Sequence, residues 1–308
     1  MKPTEPPYSS RLCVLSPDNF KDYELIDCGS FEKLERFGQY VTRRPEPKAV
    51  WAPTMPESEW RALAHATFRH EKGARSNPDE RGAWTKKAGM PDRWPVSYRH
   101  NGLNMTLRLG LTSFKHVGVF PEQAVNWDFI YGACSRLKKE AKVLNLFAYT
   151  GGASLAARAA GADVTHLDSV RQTVTWANDN MQASRLDGIR WLVDDALKYV
   201  QRQARRGAKY SGVILDPPAY GRGPDGERWL LAEGILELLS GVEKILESRS
   251  SFLVLNLYAL GFSSVVCDTL VSSVFGRPAQ RESGELALKD RFGKRLPLSV
   301  FTRFARLP

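Results

Sequence analysis

Long apolar runs are missing. No stretch of the 308 residues approaches the ~20 apolar residues that a membrane-spanning helix needs. The first residues, with Lys2, Pro3, Pro6 and Pro7, lack the apolar centre of a secretory signal. Cysteine is scarce as well. Cys13, Cys28, Cys134 and Cys267 are far apart, form no Cys-x-x-Cys pair and have no His at zinc spacing, which argues against a disulfide framework and a structural metal. Neither a membrane nor a metal partner is expected, and a reducing cytoplasm is the expected compartment. Internal repeats and low-complexity tracts are absent too, and 43% hydrophobic with 25% charged residues is the make-up of a globular domain rather than a disordered or fibrous chain. What the chain has in excess is positive charge. Its 44 Lys and Arg against 34 Asp and Glu leave a net charge of +10, which favours an anionic partner such as nucleic acid through steering and counterion release.

Residues 1–16 read as a frayed tail, and 23–41 as a strand-rich piece turning near Gly29. Prolines at 45, 47, 53 and 56 exclude a regular helix from Arg43 to Pro56 and suggest a linker. The spacing of Trp60, Leu63, Ala64 and Phe68 predicts a helix over 56–70. The stretch 71–95 reads as a basic loop with Arg75, Arg81, Lys86 and Lys87 around Trp84. Alternation at Met105, Leu107 and Leu109 then predicts a β-hairpin turned at Asn101-Gly102.

From about Gln123 strands alternate with helices, the pattern of a mostly parallel sheet covered on both faces. Strands are expected at 142–147, 163–168, 189–193, 212–216 and 252–257, helices at 153–160, 170–183, 196–206, 229–247 and 263–274, and a closing β pair at 285–289 and 298–306. The expected fold is thus α/β: a Rossmann-like, doubly wound, mostly parallel sheet with an antiparallel terminal strand, plus a small β-rich N-terminal region. The division falls between 1–122 and 123–308.

Four strand ends carry the chemistry. The first runs from Val143 through Asn145, Phe147, Tyr149 and Thr150 to Gly151-Gly152, an apolar strand entering a turn of small residues before a helix, where backbone can approach a nucleotide-like ligand. It has neither the Gly-x-Gly-x-x-Gly of dinucleotide sites nor the Gly-Lys-Ser/Thr of a phosphate loop, and on its own it can be a plain strand-to-helix turn. The second strand ends in Asp168-Ser169, where a doubly wound fold sets an acid for ribose hydroxyls, although Asp168 can equally cap the next helix. The third ends in Asp194-Asp195, of which Asp195 is placed either to meet an adenine amine or to cap the helix at Ala196. The fourth gives Asp216-Pro217-Pro218-Ala219-Tyr220, whose prolines stop the strand rigidly and fix Asp216 at the crevice, with Tyr220 free to stack on a planar base.

Together these residues resemble the bacterial large-subunit ribosomal RNA methyltransferase family, which pairs Asn-x-Phe-x-Tyr-Thr-Gly-Gly with Asp-Pro-Pro-x-Phe/Tyr. The stretch Gly118-Val119-Phe120-Pro121-Glu122-Gln123 is similar to that family's Gly-x-Phe-x-Asp-Gln segment, which closes over the cofactor, with Glu122 in place of Asp. The resemblance spans about 101–306. It implies a class I methyltransferase using S-adenosylmethionine, with Phe120, Gln123, Asn145, Phe147, Tyr149, Thr150, Gly151, Gly152, Asp168, Ser169, Asp194, Asp195 and Asp216 toward the cofactor. Asp216, Pro217, Pro218, Tyr220 and Asn256 would face a base of ribosomal RNA.

Cytosine-5 members of the family have a Cys at the end of the fifth strand, where a thiolate can add to the ring; this chain reads Leu255-Asn256-Leu257-Tyr258 there. Transfer to nitrogen or oxygen is therefore favoured. An idle RNA-binding protein with the same fold, or a methyltransferase with a protein or small-molecule acceptor, remains open on the sequence. A nicotinamide oxidoreductase is disfavoured by the missing Gly pattern.

Overall fold

The computed structural model describes residues 12–70, 81–137, 141–258, 261–276 and 280–307. Its first elements are β1 (Cys13–Leu15), β2 (Tyr23–Gly29), β3 (Glu32–Phe37), β4 (Tyr40–Pro45), α1 (Glu57–Leu63), β5 (Ala66–His70) and β6 (Gly82–Lys86). Strands β2 to β6 form one sheet in sequential order. The hairpin β7 (Arg93–His100) and β8 (Leu103–Gly110) follows, turned at Asn101 and Gly102 with φ of 46° and 90°, the left-handed pair that matches strand twist. A 3-10 turn, Pro121–Gln123, leads into α2 (Ala124–Leu137).

Alternation then sets in: β9 (Lys142–Leu146), α3 (Gly152–Ala159), β10 (Asp163–Asp168), α4 (Arg171–Ala183), β11 (Ile189–Val193), α5 (Ala196–Arg205) and β12 (Gly212–Leu215). After a small ribbon of β13 (Tyr220–Arg222) and β14 (Arg228–Leu230) come α6 (Leu231–Ile245), β15 (Ser251–Leu257), α7 (Ser264–Phe275), β16 (Arg281–Lys289) and β17 (Arg295–Arg306). The large sheet has the order β1-β16-β17-β15-β12-β9-β10-β11, parallel from β15 to β11 and antiparallel where β17 joins β15. Because β9 lies between β10 and β12, the chain grows the sheet first to one side and then to the other. The crevice at such a reversal is where open α/β sheets bind ligands.

Strand side chains alternate between two cores, as the two-residue period requires. Val143, Val164, Ile214 and Val254 join α2, α3 and the hairpin in one cluster; Leu144, Leu167, Val213, Leu215 and Leu253 join α5, α6 and α7 in the other. The first cluster also takes in Phe20, Leu25, Phe37 and Trp94, so the expected division at 122/123 runs through one continuous core. The hairpin is seated on α4 by polar bonds as well: Trp176 Nε1 donates to Arg108 O (2.6 Å), Arg108 N to Asn180 Oδ1 (2.8 Å) and Thr106 N to Ser184 Oγ (2.9 Å).

Four expectations are corrected. Residues 13–15, read as tail, pair with β16 as an edge strand; residues 1–11 lie outside the described set. The supposed linker begins as β4 and continues as an ordered segment, because buried Asp27 accepts from Thr54 N, Met55 N and Trp60 Nε1. The helix predicted over 56–70 stops at Leu63, since Ala66 and Phe68 are buried in strand alternation and β5 pairs with β6. Part of the basic loop is β6, with Trp84 packed edge-on against Phe68 at 5.2 Å; Arg75 lies outside the described residues.

Gly118 locks the connection to the site. Its φ is 99°, and a Cβ there would sit 2.3 Å from Trp176. Gly118→Ala is expected to lower stability by about 2–3 kcal/mol, from overpacking and left-handed strain together, read as a shifted midpoint in urea denaturation. An unchanged midpoint would contradict this packing.

Candidate active site

The turn after β9 is built under strain. Phe147, Tyr149 and Gly151 take φ of 54°, 50° and 89°, so alternate residues are left-handed and only one of the three is glycine. Two non-glycine residues in that region cost about 1–2 kcal/mol each, and the turn is pinned from three sides. Asp168 Oδ2 accepts from Tyr149 N (2.9 Å), Thr150 Oγ1 donates to Gly118 O (2.7 Å), and Asn180 Nδ2 donates to Thr150 O (2.9 Å). Behind the turn, Asn145 Nδ2 donates to Ser154 Oγ (2.9 Å), which is bonded in turn to His166 Nδ1 (3.0 Å). Burial pushes His166 down to about 3, so that link stays uncharged.

Two chambers open at the strand ends, and Phe147 lines both. The larger, about 580 Å³, is lined by Phe120, Gln123, Asn145, Tyr149, Thr150, Gly151, Gly152, Asp216 and Asn256, with Asn126 and Trp127 of α2 below. The smaller, about 320 Å³, is lined by Asp168, Ser169, Asp194, Asp195, Pro218 and Trp229. In the smaller chamber Asp168 Oδ1 accepts from Val170 N (2.9 Å) and Thr173 Oγ1 (3.0 Å), while burial raises its carboxyl above the usual range. Asp195 caps α5 by accepting from Lys198 N (2.8 Å), and Asp194 pairs with Arg202.

Asp216 dominates the larger chamber. Asn256 Nδ2 donates to its Oδ1 (3.0 Å) and Gln123 Nε2 to its Oδ2 (3.2 Å). Burial, only partly offset by the Asn256 bond and reinforced by nearby Glu122, pushes its carboxyl up to about 7. Glu122 is buried too: Tyr258 Oη donates to its Oε1 (2.9 Å), its Oε2 has no hydrogen-bond partner, and burial raises its carboxyl. Rings of Tyr149 and Tyr258 flank Phe120 at 5.4 and 5.2 Å.

Two expected residues fall outside both linings. Pro217 is buried, and Tyr220 sits on the exposed β13–β14 ribbon, where pairing with Leu230 directs it away and its Oη accepts from Arg222 Nε (3.1 Å). The aromatic of this segment that lines a chamber is Trp229, with its ring 5.1 Å from Phe147 and Nε1 donating to Pro218 O (2.8 Å). Sequence reasoning passed over Trp229, Asn126 and Trp127. The apolar spacing of α2 was the available signal for Trp127; Trp229 carried none beyond being an aromatic after the Pro-Pro loop.

The donor set suits S-adenosylmethionine. Two neighbouring chambers, one acid at the end of β10 and one at β12, and a lining whose cation among the described residues is Arg222 alone fit an elongated nucleoside that carries a positive sulfur and no phosphate. Comparison with known proteins agrees with this chemistry. The model of the S-adenosylmethionine-dependent methyltransferase family matches residues 43–269. A crystal structure of a SAM-dependent methyltransferase from Agrobacterium tumefaciens is 36% identical, with a TM-score of 0.87 over 96% of this chain and 93% of that one. A candidate methyltransferase complexed with SAH shares the fold, at 16% identity and a TM-score of 0.69 over 93% of this chain and 76% of that one. A ribosomal RNA large subunit methyltransferase K/L of Shewanella frigidimarina is 29% identical over 153 residues, 48% of this chain; the chain spans 21% of that relative's length. On the family match and the likeness along nearly its whole length to the Agrobacterium enzyme, the chain belongs to the S-adenosylmethionine-dependent methyltransferase family.

Proposed function

We propose that this methyltransferase acts on a nitrogen or oxygen of a base in large-subunit ribosomal RNA. The observation that carries the choice of atom is the setting of Asp216: a half-buried carboxylate that receives neutral amide donors, with no cysteine among the described residues lining either chamber. Carbon-5 chemistry needs a thiolate beside the ring, whereas Cys134 and Cys267 are buried in the helices α2 and α7, with burial pushing both thiols up to about 12. The RNA reading is supported by the net charge of +10 and by the likeness to the Shewanella ribosomal RNA methyltransferase.

Bound S-adenosylmethionine supplies an electrophilic methyl group. In this reading Asp168 accepts from the ribose hydroxyls, Asp194 and Asp195 border the adenine, and the turn at Tyr149 to Gly152 with Asn145 surrounds the amino-acid end. Phe147, which lines both chambers, and Trp229 of the smaller one flank the nucleoside. Asp216 and Asn256 orient the acceptor atom by hydrogen bonds, and Asp216 takes the proton where one must leave. Phe120, in its aromatic surround, replaces Tyr220 as the ring against which a flat base packs. Residues 12–122 are proposed as the RNA-facing appendage, resting on the same core as the catalytic sheet.

Three outcomes follow. Asp168→Asn should weaken SAH binding at least tenfold by calorimetry, the effect of about 1.4 kcal/mol lost from charged hydrogen bonds; unchanged affinity would remove its assigned role. A carboxyl that titrates near 7 is protonated below and ionised above that value. Turnover at saturating RNA should therefore rise with pH through neutrality, and Asp216→Asn should lose this limb with a ~100-fold lower kcat, the scale of a general base. A flat profile in the native protein would count against Asp216 as the proton acceptor. Mapping modified nucleotides in ribosomal RNA from a strain lacking the gene should show one methyl missing, and an unchanged map would end the RNA assignment.

A further inference from the structure

The donors around Asp216 are set by residues farther out. Gln123 and Asn256 each carry one carboxamide, and a carboxamide turned by half a rotation would present oxygen instead of N–H to the carboxylate. Which way each faces is decided by its other partner. On one side, Arg303 Nη1 donates to Asn126 Oδ1 (3.0 Å), so the Asn126 amide nitrogen faces Gln123 and donates to its Oε1 (2.8 Å). The two N–H groups of Gln123 then go to Asp216 and to Tyr258 Oη, at 3.2 Å each, and Tyr258 passes its own proton toward Glu122. On the other side, Ser299 Oγ donates to Asn256 Oδ1 (3.0 Å), which leaves the Asn256 nitrogen for Asp216. Every arrow runs from Arg303 or Ser299 toward a carboxylate, and none conflicts with another. Ser299 and Arg303 both lie on β17, the antiparallel strand beside β15, and neither lines the chambers.

We propose that Arg303, Asn126 and Ser299 are positioning residues that fix the Gln123 and Asn256 carboxamides with N–H toward Asp216, so that the carboxylate meets the acceptor as a hydrogen-bond acceptor held from both sides without a cation. This rests on the reading of Asp216 as the group that faces the methyl acceptor. The physical gain is selective. An arginine placed directly on Asp216 would hold it ionised and weakly basic, whereas neutral amides orient it and leave its proton affinity high. The titratable groups facing Asp216 are Glu122 on the 3-10 turn and Tyr258 beyond β15; Arg303 reaches it only through Asn126.

The test uses the full chain with carbon-13 in its aspartate carboxyls, so that Asp216 is titrated by NMR without any substrate. Asn126→Ala frees Gln123 to turn, and Ser299→Ala frees Asn256; neither adds or removes a charge. Both should move the Asp216 titration upward, by up to about one pH unit for the loss of one oriented donor. In methyl transfer from labelled S-adenosylmethionine to ribosomal RNA of a strain lacking the gene, kcat should fall about tenfold or less, the scale of one neutral hydrogen bond, with KM for RNA unchanged. Ser299→Thr, which restores the hydroxyl, should recover both the titration and kcat. Titrations and kcat unmoved in the two alanine variants would overturn the proposal. Were Asn126→Ala not to fold, the Ser299→Ala and Ser299→Thr pair decides alone, because equal behaviour of the two also overturns it. If instead Asp216→Asn were fully active while the titrations moved as expected, the role of Asp216 in transfer would fall and the orienting network would stand.

Discussion

The turn that follows β9 is the constraint on which the site depends. It stands at the reversal of sheet order, where the carboxyl ends of β9, β10 and β12 leave a crevice, and it must pass between the two chambers without filling either. The left-handed residues Phe147 and Tyr149 achieve this by folding the backbone back on itself. Such strain persists only where the surroundings over-determine it. Here the surroundings are Asp168, Asn180 and the carbonyl of Gly118, from three separate parts of the chain. The hairpin, α4 and β10 thereby become parts of the candidate site although few of their side chains line it. Asn180 shows the economy of this arrangement, with one amide oxygen holding the hairpin at Arg108 and its nitrogen holding the turn at Thr150.

Electrostatics divides the two chambers. In the smaller one Asp168 and Asp195 take backbone donors, Asp168 from Tyr149 N and Val170 N and Asp195 from Lys198 N, while Asp194 pairs with Arg202. Amide donors of this kind hold a carboxylate in place while leaving lone pairs for hydroxyls or an amine. In the larger one Glu122 is near enough to raise Asp216, and the hydrogen-bonded path between them runs through the Gln123 amide and Tyr258. A buried carboxyl beside a half-buried one, with no ion pair to either among the described residues, is costly to ionise fully. The unpartnered Oε2 of Glu122 is the place where that cost is visible.

Much of this was legible in the residues. The bounds expected for β10 and β11 are those observed, because short runs such as Val164 to Leu167 between polar ends have few alternatives as strands. The strand-end acids were legible for the same reason, since a strand's last residue in a doubly wound fold has a known address. Local reading failed where a partner distant in sequence decides. Phe68 fits a helical stripe with Trp60 and Ala64 until β6 arrives to pair with β5. Tyr220 looks poised over the cleft until Leu230 folds back on it and Trp229 takes the position. Ser299 and Arg303 gave no signal, because their bonds to Asn256 and Asn126 span 43 and 177 residues.

The placing of Arg303 explains how a strongly basic chain keeps a basic carboxylate at its centre. Its guanidinium lies 4.6 Å from the Phe129 ring and 5.3 Å from that of Phe301, and it is paired with Glu282 at 2.7 Å. Rings and an ion pair take up most of its charge locally, and two intervening amides separate it from Asp216. What crosses that distance is therefore orientation rather than potential, since a hydrogen-bonded amide transmits its direction fully while a compensated charge falls off through distance and screening. Positive charge can then accumulate elsewhere on the protein, where an anionic partner would meet it, without lowering the proton affinity of Asp216, the carboxylate proposed to face the acceptor.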